Sequence, residues 1–121
     1  MIAVLLAAAL TFHPMQIGQL AHERPEHWSG KMATHVCVRG WPTYEKLEED
    51  GDHHVRICDD PKVQGMNRSR CLVGEVIPAV PLPLPEVGKE YDFCGVTRWD
   101  GETPNHGWWE LHPLLSIMAV P

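Results

Sequence analysis

Four prolines stand within eight residues, at positions 78, 81, 83 and 85. A proline inside a helix removes a backbone donor and clashes with the preceding turn, so no long helix crosses this stretch. Glycines punctuate the chain on both sides of it, and between them apolar and polar residues alternate at the two-residue period of half-buried strands. Eleven Pro and ten Gly in 121 residues favour short strands joined by many turns. A chain of this length holds one domain with one modest core.

Five strands follow from the alternation. The first runs from Ala33 to Trp41, with Val36 and Val38 on one face and His35, Cys37 and Arg39 on the other. Gly40 inside it marks a bend or bulge, past which Thr43 and Tyr44 continue. The second is His53 to Cys58, with Val55 and Ile57 inward and Asp52, His54, Arg56 and Cys58 outward. The third is Cys71 to Ile77, the fourth Tyr91 to Trp99, and the fifth Trp109 to about Met118. A bent first strand, an opening three-stranded meander and a crossover between the third and fourth strands predict an all-β, five-stranded OB-fold-like Greek-key barrel over residues 30–121. An SH3-like barrel is the alternative. The expected core is Val36, Val38, Val55, Ile57, Leu72, Val76, Phe93, Leu111 and Leu115.

Residues 1–29 read as an N-terminal extension, helical or irregular, with Met15, Ile17 and Leu20 turned inward in a helical segment. Ile2 to Leu10 is apolar but far too short to span a bilayer. It reads as a short helix over the open end of the core or, lacking a preceding Lys or Arg, as a weak export signal. The protein is accordingly cytoplasmic or exported, with no transmembrane segment. Cys37, Cys58, Cys71 and Cys94 contain no C-x-x-C, which argues against a zinc knuckle. They are either four small buried hydrophobes or two disulfides. The barrel's strand order places Cys37 near Cys94 and Cys58 near Cys71.

Three stretches carry a resemblance: Glu49-Asp50-Gly51-Asp52-His53-His54, Gly74-Glu75-Val76-Ile77-Pro78, and His106-Gly107-Trp108-Trp109-Glu110-Leu111-His112-Pro113. They resemble a family of small bacterial OB-fold proteins with D-G-D-x-H and H-G-W-x-E-[IL]-H-P stretches, over roughly residues 30 to 118. The resemblance implies the fold and points to residues, without naming an activity. The D-G-D entering a second strand is also similar to staphylococcal-type nucleases, which carry a Thr where His53 stands.

Placing Cys58 opposite Cys71 sets Arg56 against Val73 and His54 against Glu75, with Asp52 one pair further on. Asp52, His54 and Glu75 are therefore the candidate ligands for a divalent metal, which two carboxylates and an imidazole can hold. With Arg56 beside them to stabilise developing charge, they are also the candidate catalytic residues of a metal-dependent phosphodiesterase. A hydrogen-bonded network that fixes a loop is the structural alternative. A second constellation comprises Trp99, Asp100, His106, Trp108, Glu110 and His112, and strand alternation puts Trp108, Glu110 and His112 on one face. With Arg56 these are the candidate ligand-binding residues. Trp41, Trp99 and Trp108 are candidate stacking platforms, and Lys62, Arg68 and Arg70 form a basic loop.

Ten Lys and Arg against sixteen Asp and Glu leave a net charge of −6. That excludes a protein that coats nucleic acid by bulk charge, but not one with a local basic groove. The expected function is a small OB-fold binding module for single-stranded nucleic acid or an oligosaccharide. The alternative is the metal-dependent hydrolase. Whether the two constellations meet is left open by the strand directions.

Overall fold

The computed structural model describes residues 11–23, 34–101 and 107–121. The apolar run at 2–10 and His106 lie outside the described residues. The elements in chain order are β1 (His13–Met15), α1 (Ile17–Ala21), β2 (His35–Leu47), β3 (His53–Cys58), β4 (Cys71–Val76), β5 (Tyr91–Asp100) and β6 (Trp108–Ala119). Strands β2 to β6 close into a barrel in the order β2–β3–β4–β6–β5 and back to β2. The β4–β6 pair is parallel, and the other four barrel pairs are antiparallel. The protein is an all-β, OB-fold-like barrel.

The first expected strand is longer than its alternation indicates. Residues 35–40 of β2 pair with β5, and residues 41–47 pair with β3. The register shifts between Pro42 and Tyr44 as the strand passes from one partner to the other. Gly40 sits at the changeover for a packing reason. A Cβ there would lie 2.5 Å from Ile17 Cδ1 and 2.8 Å from the Cys58 carbonyl oxygen. Its absence lets α1 press onto the barrel. Ile17 and Leu20 are buried and Met15 packs against the same core, while β1 pairs in parallel with β2. Residues 13–20, read from sequence as part of an extension, thus complete the core.

Val36, Val38, Val55, Ile57, Leu72, Val76, Phe93 and Leu111 are buried, as expected. Each contributes on the order of 1.5–3 kcal/mol. Leu115 is the correction: it is only partly buried, and Leu114 is in the core in its place. The cause is the β5–β6 ladder, which shifts register twice between Cys94 and Thr97. Each shift gives β6 one extra residue, so the inward positions run 109, 111, 114 and 117 and strict alternation fails.

Two disulfides join neighbouring strands, Cys37–Cys94 across β2–β5 and Cys58–Cys71 across β3–β4. These are the pairs that strand order predicts. Cys58 and Cys71 lie on the outer face, as expected, but are fully covered there. Among the described residues no helix is long and apolar enough to cross a membrane.

Candidate functional site

The site begins with the turn between β2 and β3. Gly51 takes a φ of +91°, a conformation that favours glycine. It lets the Asp50 carboxylate accept the Asp52 backbone N–H at 2.9 Å, and Glu48 N–H donates to the Asp52 carbonyl at 2.8 Å. The D-G-D stretch is thus a turn that fixes Asp52 at the head of β3. The β3–β4 ladder then sets His54 opposite Glu75, Arg56 opposite Val73 and Cys58 opposite Cys71, the register expected from sequence. The His54 Nε2–Glu75 Oε1 distance is 3.0 Å.

The two constellations meet. Strand β6 lies parallel to β4 with Glu110 beside Val73 and Leu111 beside Gly74, so the next step brings His112 to Glu75. His112 Nε2 stands 3.3 Å from Asp52 Oδ2 and 3.6 Å from Glu75 Oε1. On the ring's other side, Arg98 Nη1 is 3.1 Å from His112 Nδ1. Arginine can only donate, so Nδ1 accepts, and the ring proton sits on Nε2 facing the carboxylates. Asp52, Glu75 and His112 bring one donor atom each within 4.8 Å of one another. His54 contacts the same Glu75 oxygen, Oε1, and is not part of that triad.

Glu110 is the fourth member, 1% exposed although it lies on the outer face. Its Oε2 accepts the Trp108 indole N–H at 3.2 Å. Its Oε1 is buried and accepts no hydrogen bond, with Arg98 Nε 4.0 Å away. The two glutamates are pushed apart in acidity. Burial, followed by the bond to Glu75 and its charge, raises the Glu110 carboxyl to about 9. Burial also pushes Glu75 up, but the bonds to His54 and Glu110 and the charge of His54 outweigh it and hold Glu75 at about 2. Glu110 therefore keeps its proton at neutral pH and Glu75 stays ionised, a division of roles that suits an acid and a base. The bond to Glu75 raises His54 against the opposing effect of burial.

Beside this cluster, the outer face of β3–β4 carries a groove of about 310 Å³ lined by Tyr44, Lys46, Glu48, His54, Arg56, Met66, Val73 and Trp108. His54 and Trp108 belong to both groove and cluster. Arg56 lies over the Tyr44 ring at 5.1 Å and donates to the Thr43 hydroxyl at 2.9 Å, so its guanidinium is held in place. A second hollow of about 450 Å³ follows residues 46–50 and is lined only by that loop.

Of the other expected residues, Trp99 packs edge-on against Trp109 at 5.5 Å and belongs to the core's rim. Asp100 pairs with Trp108 on the β5–β6 ladder. Arg70 is bound to Asp59 at 2.8 Å, and Lys62, Arg68 and Arg70 of the basic loop are all exposed. Trp41 is half-buried opposite Cys58. Tyr44 and Met66 were not among the expected ligand-binding residues. Tyr44 was within reach of sequence, because β2 continues past Gly40 and brings it opposite Arg56. Met66 sits in an irregular loop that no periodicity locates.

No protein-family model matches the chain, and no curated protein matches it.

Proposed function

We propose that the protein is an OB-type binding module whose ligand lies along the groove of β3–β4, and that single-stranded nucleic acid suits this groove better than an oligosaccharide. The observation that carries the reading is the combination of Tyr44, Arg56 and Trp108 in one groove. Two aromatic faces offer stacking to successive bases, and a fixed guanidinium offers a partner for phosphate. Lys46 on the same rim adds positive charge locally to a chain that is acidic overall.

Titration with a short oligothymidine, followed by tryptophan fluorescence in chelator, tests this. Saturable quenching is expected, with an affinity that falls as salt rises. Trp108→Ala should weaken it by roughly 5- to 150-fold, the worth of one stacked base. Quenching by a neutral oligosaccharide, but not by the oligonucleotide, would reassign the ligand. The two disulfides support the exported rather than the cytoplasmic alternative, because such bridges persist in oxidising compartments.

A metal-dependent phosphodiesterase is the second reading. It is favoured by the groove and the acid–histidine cluster sharing His54 and Trp108, and it includes the likeness to staphylococcal-type nucleases. It predicts cleavage of the oligonucleotide in the presence of a divalent cation, abolished by chelator and by Arg56→Ala. An oligonucleotide that stays intact under those conditions leaves the binding module alone.

A further inference from the structure

The geometry points to a divalent transition-metal site formed by Asp52 Oδ2, Glu75 Oε1 and His112 Nε2, beside the ligand groove and beyond the binding function proposed for it. Four bonds of zinc length arranged tetrahedrally put neighbouring donors about 3.4 Å apart. The His112–Asp52 and His112–Glu75 distances are 3.3 and 3.6 Å, so the imidazole already stands at that spacing from both carboxylates, and all three donors lie within 4.8 Å of one another. Three protein ligands leave a fourth position open.

A second observation is independent of these distances. Glu110 is 1% exposed, and no N–H or O–H donates to its Oε1. It lies on β6 two residues before His112, so a third carboxyl converges on the same place. Among the described residues the fixed cation in contact with these groups is Arg98, which stands at the rim with half its side chain exposed.

The donor set chooses the metal. One imidazole nitrogen with two carboxylate oxygens suits zinc or manganese, whereas calcium takes six to eight oxygens and magnesium keeps most of its water. The remaining contacts serve as supports. His54 holds Glu75 Oε1 at 3.0 Å through one lone-pair direction and leaves the other to the metal. Arg98 is the one contact that must change. A neutral imidazole bound through Nε2 carries its proton on Nδ1, so Arg98 has to turn out to solvent, which its exposure allows.

The test is calorimetric titration of the full chain, free of any affinity tag, with zinc and with manganese. Expected is saturable one-to-one binding of at least one of them. His112→Ala and the isosteric Asp52→Asn should each weaken it by at least about 100-fold, since even supporting residues around a metal cost 10- to 100-fold. Asp52→Asn guards against the case in which the histidine variant fails to fold, as judged by its thermal unfolding. Arg98→Ala should leave the affinity unchanged or raise it. Absence of saturable binding in the wild type overturns the site. So does unchanged binding in either ligand variant, or a loss in Arg98→Ala as large as in His112→Ala. Oligonucleotide binding measured in chelator reports on the groove separately, so failure of one proposal leaves the other standing.

Discussion

On the inner face of the β3–β4 hairpin Val55, Ile57, Leu72 and Val76 are 0–7% exposed, and on its outer face Glu75 is 6% exposed. The burial is nearly equal but the physics is not. Apolar side chains are driven inward by a force without direction, proportional to the area they hide. Glu75 stays buried and ionised because His54, His112 and Glu110 are each aimed at it. The inner face is sensitive to lost volume, and the outer face to the loss of any one partner.

The largest expected effect tests the inner face. Ile57→Ala should cost about 2–5 kcal/mol, the transfer free energy plus the cavity it leaves. Urea unfolding measures it, and oligonucleotide affinity of the folded protein should stay unchanged. A loss below about 1 kcal/mol would mean that the inner face relaxes freely and that the contrast between the faces is false. Next comes the bridge at the far end of the outer face. Cys58→Ala with Cys71→Ala opens a loop with a sequence separation of 13. The chain-entropy account gives a cost of about 3 kcal/mol. If the outer face is held by its bridge, the same double variant will also weaken metal binding. If it is held by its local polar contacts, metal binding will survive in the folded variant, which is the expected result.

The same division explains what was legible in the sequence. Alternation located Val55 and Ile57, and with the assumed pairing of Cys58 and Cys71 it gave the His54–Glu75 contact. Both depend only on a period of two and on one register. Leu115 was misplaced because extra residues in β6 reset its parity, and nothing in Leu114-Leu115-Ser116 announces a bulge. The pairing of His112 with Asp52 and Glu75 was out of reach for a related reason. It depends on where two parallel strands, β4 and β6, stand relative to each other along their length. Parallel neighbours are joined by long crossovers, so no turn fixes that offset. Glu110 gave no sign of its burial, since a Glu following two tryptophans reads as an exposed residue on an amphipathic strand.

A smaller effect should come from removing the charge at the centre of the outer face. Glu75→Gln keeps the shape but deprives His54 and His112 of their carboxylate. It should cost roughly 1–3 kcal/mol at pH 7, the penalty for poorly paired, half-buried donors. The pH dependence has a definite sign. A carboxyl held at about 2, below its ordinary 4.5, stabilises the fold fully above pH 4.5 and loses that contribution as pH falls toward 2. Wild type should therefore lose its advantage over the variant in acid. An advantage that persists at pH 2.5 would show that Glu75 does not act through its charge.

The most discriminating effect belongs to Glu110→Gln. Glu110 is raised from an ordinary 4.5 to about 9, mainly by burial and then by the neighbouring Glu75. A group raised in the fold contributes stability that is fully present below its unfolded value and lost as pH climbs through its folded value. Between those limits the folded protein holds one proton that the unfolded chain has released. Wild-type stability should then fall with pH by at most about 1.4 kcal/mol per unit. Glutamine does not titrate, can still accept the Trp108 N–H, and can donate to Glu75 as the protonated acid does. Glu110→Gln and wild type should therefore be nearly equally stable at pH 4.5 and diverge steadily to about pH 9, with the variant the more stable. Denaturant unfolding in chelator at several pH values, with all other conditions fixed, measures the divergence. Parallel curves would mean that Glu110 is ionised in the folded protein. The outer face would then hold two adjacent buried charges, and the single shared proton would not be what keeps Glu75 buried.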